Sequence, residues 1–316
     1  MNNYKIGILG TGSIGRRHIK NISNLLNHKG KRFTLDLLRR KNSLPIKDDL
    51  LDYVNEIVFE NEIENNQYDI IFICNPTVHH YESIKKHINH TKHMFIEKPV
   101  FHDLNLEVEK LCLKKDSIYY VACPLRYSFA IRYVKEHVDI SKVYSVRSIC
   151  SSYLPDWRKD IDYRETYSAK RNEGGGVSID LIHEWDYIRY IFGDPEYTYN
   201  LSGKYSNLEI DSDDISVYIA EFKNMLLELH LDYFGRYYRR ELELFMENEV
   251  ILVDILNSKI VKTSNNETVS LEEDRNDYQL KELEYFFDVV EGNRKNHNDI
   301  YEALKTQSIA MQGGIT

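Results

Sequence analysis

The chain has 316 residues, 42% of them hydrophobic and 29% charged, with a formal net charge of −9. That is apolar material for one large domain or two ordinary ones. The acidic balance argues against a general nucleic-acid binder, which needs a basic phosphate-facing patch. No run approaches the roughly 20 apolar residues of a membrane span. "MNNYKIGILG" reads directly as a strand, without the apolar core and cleavage site of a secretory leader. The four cysteines, Cys74, Cys112, Cys123 and Cys150, are scattered and form no CxxC pair. They are expected to be reduced thiols, most of them buried, in a cytoplasmic protein.

In chain order, "YKIGILG" predicts a strand and "SIGRRHIKNISNLLNH" a helix. "RFTLDLLRR" is the second strand. "YDIIFICNP" is the third, nearly all apolar as in a strand buried on both faces. "HYESIKKHINH" is helical, "HMFIEKP" a fourth strand, "LNLEVEKLCLKK" a helix and "IYYVACPL" a fifth strand. This alternation predicts a parallel sheet with right-handed crossovers. The pattern then changes. "KVYSVRSICSSYL" is a long strand, and "GGGVSIDLIHEWDYIRYIFGDP" a single helix ended by Gly193 and Pro195. From about Val217 to Thr263 the apolar period is two, which predicts antiparallel strands with one buried face. "YQLKELEYFFDVVEG" closes the pattern as an amphipathic helix. The change near Cys123 and Pro124 sets the expected boundary.

The first strand runs into G-x-G-x-x-G at Gly10, Gly12 and Gly15, with Ser13 and Ile14 inside the loop, and a helix follows. In that context the pattern is a dinucleotide fingerprint: a tight turn, close backbone approach to a pyrophosphate, and close helix–strand packing. The second strand usually ends in an acid that binds the adenosine ribose. Here Asp36 lies mid-strand, and Arg39 and Arg40 occupy the tip. Arginine suits a phosphate, so NADP is favoured over NAD.

Further motifs follow in order: "CNPTVHH" with Asn75, Pro76, Thr77 and His80; "EKP" with Glu97, Lys98 and Pro99; Arg126 in "CPLRY"; and the "GGG…D…H" segment. Together with the glycine loop, and over nearly the whole length, they resemble the glucose–fructose oxidoreductase / inositol dehydrogenase (Gfo/Idh/MocA) family. The resemblance implies an α/β chain: a Rossmann dinucleotide-binding domain over residues 1–123, then a substrate-binding α/β domain over 124–316. The second domain would carry an open, mostly antiparallel sheet that forms a homo-oligomer interface. The last helix would pack back on the first domain. The resemblance also implies hydride exchange between a nicotinamide and a sugar, cyclitol or related polyol. Asn75, Pro76, Thr77, His80, Glu97, Lys98 and Arg126 would then contact the cofactor, and Lys98 and Arg126 the substrate as well.

A chemical reason for "EKP" follows. Ligands of doubly wound sheets sit beyond the carboxyl ends of the strands. An ammonium there can polarise a carbonyl or stabilise a forming alkoxide. Pro99 would fix the turn that aims Lys98, and Glu97 would set its surroundings. At 100° per residue, Asp180, His183, Glu184 and Tyr187 share one face of the predicted helix. Leu181, Ile182, Trp185, Ile188 and Phe192 share the other. His183 beside Asp180 is a candidate proton relay for alcohol oxidation. The family pattern separates its Asp and His by three residues. Here only Leu181 and Ile182 intervene, so His183 and Glu184 both stay open as acid/base, with His183 favoured. Lys98, His183 and Asp180 are the catalytic candidates.

The long polar, aromatic stretch "SSYLPDWRKDIDYRETYSAKRNEGGG" offers Tyr153, Trp157, Arg158 and Tyr163 for sugar stacking and anion pairing. With Asp180, His183 and Glu184 they make up the expected substrate set. The stretch suits an activated or acidic sugar better than a small neutral polyol, and its resemblance to family members of surface-sugar biosynthesis implies a nucleotide sugar. His79, His80, His87, His90 and His93 cluster without ligand-spaced partners and read as surface, and "DSDD" lacks the rest of a calcium loop, so no metal is expected. Three alternatives compete. A biliverdin- or imine-reductase-like member of the same fold is disfavoured by the polar segment. A non-catalytic NAD(P)-binding sensor or scaffold is disfavoured because Lys98 and His183 are present. A methyltransferase leaves "EKP" unexplained.

Overall fold

The computed structural model describes residues 3–41, 46, 48–59, 63 and 66–311. The chain divides into two compact units, Met1–Ala122 with Leu280–Leu304, and Cys123–Gln279 with Lys305–Thr316.

In the first unit, strands β1 (Asn3–Leu9), β2 (Arg32–Arg39), β3 (Glu56–Phe59), β4 (Tyr68–Ile73), β5 (Thr91–Ile96) and β6 (Tyr119–Val121) form one sheet in the order β3-β2-β1-β4-β5-β6. All neighbours in it are parallel. The order reverses between β1 and β4, and that crevice is where such sheets bind ligands. Ile6, Ile8, Ile70, Phe72, Phe95 and Ile96 are fully buried, as two-sided packing requires. Helices α1 (Ser13–His28) and α2 (His80–His87) follow β1 and β4. The edge strand β3 has no counterpart among the predicted elements: its four residues, "EIVF", are too few to show a period.

The helix expected over "LNLEVEKLCLKK" does not form. Only a short 3₁₀ turn, Val108–Leu111, is present, and Cys112 after it is left-handed at φ 52°. Leu106, Val108, Leu111 and Leu113 all pack on the same core. On an α-helix they would fall on two opposite faces. The side chain of Asp103 also takes the amide of Asn105, and Tyr81 donates to the carbonyl of Glu107 at 2.8 Å, so tertiary partners replace the helical ladder.

The second unit holds α3 (Phe129–His137), α4 (Val177–Asp180) and α5 (His183–Phe192). Its sheet contains β7 (Val143–Tyr153), β8 (Tyr197–Gly203), β9 (Ile215–Phe222), β10 (Met225–Asp232), β11 (Phe234–Met246), β12 (Val250–Asp254), β13 (Lys259–Lys262) and β14 (Glu267–Ser270). They run in the order β14-β13-β12-β11-β7-β10-β9-β8. β7 and β10 are parallel and every other pair is antiparallel, so the expected open, mostly antiparallel sheet is present. Trp185, Tyr187 and Ile188 pack with Val146, Cys150, Leu229 and Leu244 in its core. The division between the units falls within α6 (Arg275–Val290) and α7 (Ile300–Met311). In the first unit, Phe286 of α6 packs edge-on against Phe72 and Phe95.

Candidate active site

In the first unit the glycine loop has the geometry the fingerprint demands. Gly10 is left-handed at φ 95°, and a Cβ there would lie 2.4 Å from the Cys74 carbonyl oxygen. A Cβ on Gly15 would lie 2.0 Å from the Gly10 carbonyl oxygen. Gly12 differs: a Cβ there would meet nothing within 4 Å, and Gly12 caps α1 with no side chain across its first amides. The backbone at Ser13 and Ile14 is thus open to an anion at a helix N-terminus, which fits the pyrophosphate of a dinucleotide.

Asp36 is buried and accepts from Tyr68 Oη at 3.2 Å, with Lys5 Nζ at 3.8 Å. Burial pushes its carboxyl up, against the Tyr68 hydrogen bond and the Lys5 charge. It faces inward, short of the strand tip. Arg39, half-buried, ends β2, and Arg40 follows.

The turns after β4 and β5 are fastened from beneath. Asn75 donates its amide to Ser83 Oγ at 2.8 Å, and Pro76 and Thr77 follow at the sheet's carboxyl edge. His80 was expected to touch the cofactor, but it is 1% exposed. Its Nε2 lies 2.9 Å from the Asn75 carbonyl and its Nδ1 3.2 Å from the Val100 carbonyl, so it ties the two turns together. His87 is buried too, which corrects the surface reading of the histidine cluster. Glu97 Oε1 lies 2.6 Å from Nε2 of His18, a residue of α1. Glu97 Oε2 accepts from the Lys98 amide at 3.3 Å. Burial works against the Glu97 charge, yet the His18 hydrogen bond and the surrounding positive charges outweigh it and hold the carboxyl below its ordinary range. Lys98 is half-buried, and the Lys98–Pro99 peptide is cis.

In the second unit the predicted single helix is two. The junction tightens to i→i+3 bonds, Ile182 N to Ile179 O at 3.3 Å and Glu184 N to Leu181 O at 3.2 Å. The expected shared face is thereby lost. Glu184 is fully buried with Arg240 Nε 2.8 Å away, an ion pair at hydrogen-bond distance but without hydrogen-bond alignment. Tyr187 is fully buried, its hydroxyl 3.2 Å from Ser148 Oγ. Both point into the core, whereas His183 is half-buried at the start of α5. Asp180 is 6% exposed and accepts from Tyr233 Oη at 2.6 Å. The charge of Asp180, together with burial, pushes the Tyr167 hydroxyl up.

Arg126 also departs from expectation. It is 6% exposed, and its fork is engaged by Asp186: Nε to Oδ2 at 2.9 Å and Nη2 to Oδ1 at 2.7 Å. Its guanidinium holds Asp186 of α5. The long segment is ordered by short 3₁₀ turns at Leu154–Asp156, Tyr163–Glu165, Tyr167–Ala169 and Arg171–Glu173. Trp157 and Arg158 are exposed, with Arg158 over the Tyr167 ring at 5.7 Å. Tyr153 is half-buried under Arg236 at 3.4 Å. Tyr163 accepts the Glu209 amide at 3.1 Å and serves the loop's own structure. The carboxylates of "DSDD" act as turn caps: Asp213 takes the amide and hydroxyl of Ser178 at the start of α4, and Asp214 the amides of Tyr205 and Ser206. Among the described residues no His, Cys, Asp or Glu group is arranged to hold a metal, and no helix is long and apolar enough to cross a membrane.

A six-stranded parallel sheet with a glycine cradle at its switch point defines the class, a dinucleotide-binding α/β protein joined to a mixed-sheet unit. Residues 4–122 match the model of the oxidoreductase family GFO_IDH_MocA, NAD-binding Rossmann fold. Over that stretch, the Rossmann part of the first unit, the chain is similar to the Gfo/Idh/MocA oxidoreductases. Over 190 residues it is 28% identical to the uncharacterized oxidoreductase YrbE of Bacillus subtilis, covering 59% of this chain and 53% of that one. Over 200 residues it is 24% identical to an inositol 2-dehydrogenase/D-chiro-inositol 3-dehydrogenase of Lacticaseibacillus casei, 61% of this chain and 54% of that one. The matched stretch thus spans about half the length of these curated relatives. The fold is also that of the UDP-N-acetylglucosamine 3-dehydrogenase of Acidithiobacillus ferrooxidans, at TM-score 0.77 and 17% identity over 99% of this chain and 97% of that one. The WlbA dehydrogenase of Bordetella pertussis, solved with NADH and UDP-GlcNAcA, gives TM-score 0.75 and 14% identity over 98% and 94%.

Proposed function

We propose that this chain is a dehydrogenase or reductase that moves a hydride between a nicotinamide dinucleotide and a sugar CH–OH carbon. A nucleotide or acidic sugar of surface-glycan biosynthesis is the favoured substrate class. The observation that carries the reading is the pairing, on one sheet edge, of an open glycine cradle at Gly12 with Lys98 held at the end of β5 by Glu97. A bound nicotinamide would supply the hydride acceptor. In the oxidative direction the Lys98 ammonium stabilises the substrate oxygen as its negative charge grows. His183 takes the hydroxyl proton, and Asp180, fixed by Tyr233, sets the charge beside it. Gly10, Gly12, Ser13, Ile14, Gly15, Asn75, Pro76 and Thr77 are proposed to line the cofactor. Arg39 and Arg40 select NADP, since Asp36 is turned inward to Tyr68. Similar structures hold NAD+ or NADH, which makes NAD the competing cofactor.

Tyr153, Trp157 and Arg158 are proposed to contact the substrate. The inositol dehydrogenase among the relatives and the UDP-sugar enzymes among the similar folds support a polyhydroxylated substrate. The open face of the second sheet exposes Tyr197, Tyr199, Leu201, Ile219 and Leu226, and supports the reading of a homo-oligomer formed there. The unpaired thiols, three of them buried, fit a cytoplasmic protein.

Titration of the purified protein with NADPH and NADH, followed by fluorescence, tests the cofactor half. A screen of UDP-sugars with the preferred oxidised cofactor tests the other. Tighter NADPH binding and turnover of a nucleotide sugar are expected. Binding of neither nucleotide, with none retained from the cell, would overturn the reading.

A further inference from the structure

His18 lies on α1, the helix that opens at the glycine cradle, whereas Glu97 lies on the turn that carries Lys98. The two side chains meet at 2.6 Å across 79 residues of sequence. His18 is 1% exposed, with its ring 5.6 Å from that of Phe72 and 5.0 Å from that of Phe95. Its Nδ1 is buried with no hydrogen-bond partner, so the Glu97 contact is the polar anchor of this ring. An ionised carboxylate only accepts, so Nε2 is the donor. In such a dry, aromatic setting a charge-assisted hydrogen bond is strong, and its loss leaves a carboxylate stranded. The other Glu97 oxygen accepts the backbone amide of Lys98 itself.

We infer that His18 is a positioning residue for Lys98: by donating to Glu97 it bolts the helix of the cofactor cradle to the turn that carries the lysine. A single buried hydrogen bond then holds the phosphate-binding loop and the reactive ammonium in one frame, and keeps an anion beside that ammonium. The groups facing Glu97 are His18 from α1, Lys98 on its own turn, His80 from α2 and Cys74 after β4. This inference rests on the reading of Lys98 as a catalytic group only for its meaning. Its test needs no substrate, so the two can fail separately.

The test is the rate at which acetic anhydride acylates the Lys98 amine across pH 7 to 10, read by mass spectrometry with Lys92 as the internal reference. It is run on the wild type, His18→Leu, His18→Gln and Glu97→Gln. A lysine that loses a neighbouring anion spends more time as free amine. Faster acylation of Lys98 relative to Lys92 is therefore expected in Glu97→Gln, about tenfold for each unit the profile moves, whereas His18→Leu leaves the carboxylate charged but unanchored beside the ammonium and should slow it. His18→Gln, which can still donate, should return the profile toward that of the wild type. The isosteric Glu97→Gln keeps the test decisive if His18→Leu does not fold. A Lys98 profile unchanged in folded Glu97→Gln, or an equal change in His18→Leu and His18→Gln, would overturn the inference.

Discussion

Replacing Glu184 by methionine separates two roles for this residue. Glu184 is fully buried and its partner Arg240 has a side chain only 14% exposed, so solvent screens the pair little. At 2.8 Å and an effective dielectric of about 20, the gross attraction is roughly 6 kcal/mol, much of it offset by desolvation. Removing one partner strands the other charge, and the expected cost is about 3–5 kcal/mol. The chain's two tryptophans, Trp157 and Trp185, both belong to the second unit, so their fluorescence during urea unfolding reports that unit alone. A lower midpoint with unchanged slope is expected. Adding Arg240→Met should recover most of the loss, because an apolar pair of similar volume is often neutral or better. If Glu184 were the acid/base, Glu184→Met would instead abolish turnover at unchanged stability, and that result would refute the assignment of the pair to the core.

Lys98→Ala should abolish turnover and leave nucleotide binding intact; unchanged kcat sinks its catalytic role. Arg39→Ala with Arg40→Ala should weaken NADPH more than NADH, by roughly the 1–3 kcal/mol of charge-assisted contacts, and equal losses in the two titrations would remove the selectivity argument. Gly15→Ala forces a Cβ to within 2.0 Å of the Gly10 carbonyl oxygen and should lower the melting temperature sharply, whereas Gly12→Ala should fold normally and lose nucleotide affinity. A Gly12→Ala protein that binds both nucleotides as the wild type does would mean that the cradle is not the pyrophosphate site. Because Glu97 titrates lower when folded, its contribution is complete above its ordinary value of 4.5 and drains as pH falls through the folded value. The stability advantage of the wild type over Glu97→Gln, measured by urea unfolding with circular dichroism, should therefore be present at pH 7 and shrink only below the ordinary value of 4.5. An advantage that grows on acidification would contradict the His18 pairing.

The structure gives local periodicity much of its expected weight. The runs around Ile6, Ile70 and Phe95 are continuously apolar and became central parallel strands, because a strand covered on both faces has no polar side to show. The hairpins from β9 to β13 kept their period of two because one face packs and the other does not. The spacing of Gly10 and Gly15 was legible because Gly15 packs on the Gly10 carbonyl five residues away, although the Cys74 carbonyl behind Gly10 is distant in sequence and Gly12 meets no protein atom within 4 Å. His18 stood in plain view in "GRRH", and only its position one helical stretch after the glycines hinted at a use.

What the sequence carried by itself, then, is most of the parallel strands, the glycine loop between β1 and α1 and the absence of an acid at the tip of β2. Those features are set by neighbours in the chain. Tertiary structure alone decided where the charges of α5 go. Asp186 meets Arg126 across 60 residues, and Glu184 meets Arg240 on β11. A charged residue on a predicted helix looks like a solvent or site face until its partner is known, and α5 is buried nearly all round. The same holds for His80 and His18, whose rings are spent on a backbone carbonyl and a carboxylate that only the packed sheet brings within reach. Burial makes those pairings obligatory, since an unpaired buried charge costs far more than an exposed one, and no local pattern records which partner the fold supplies.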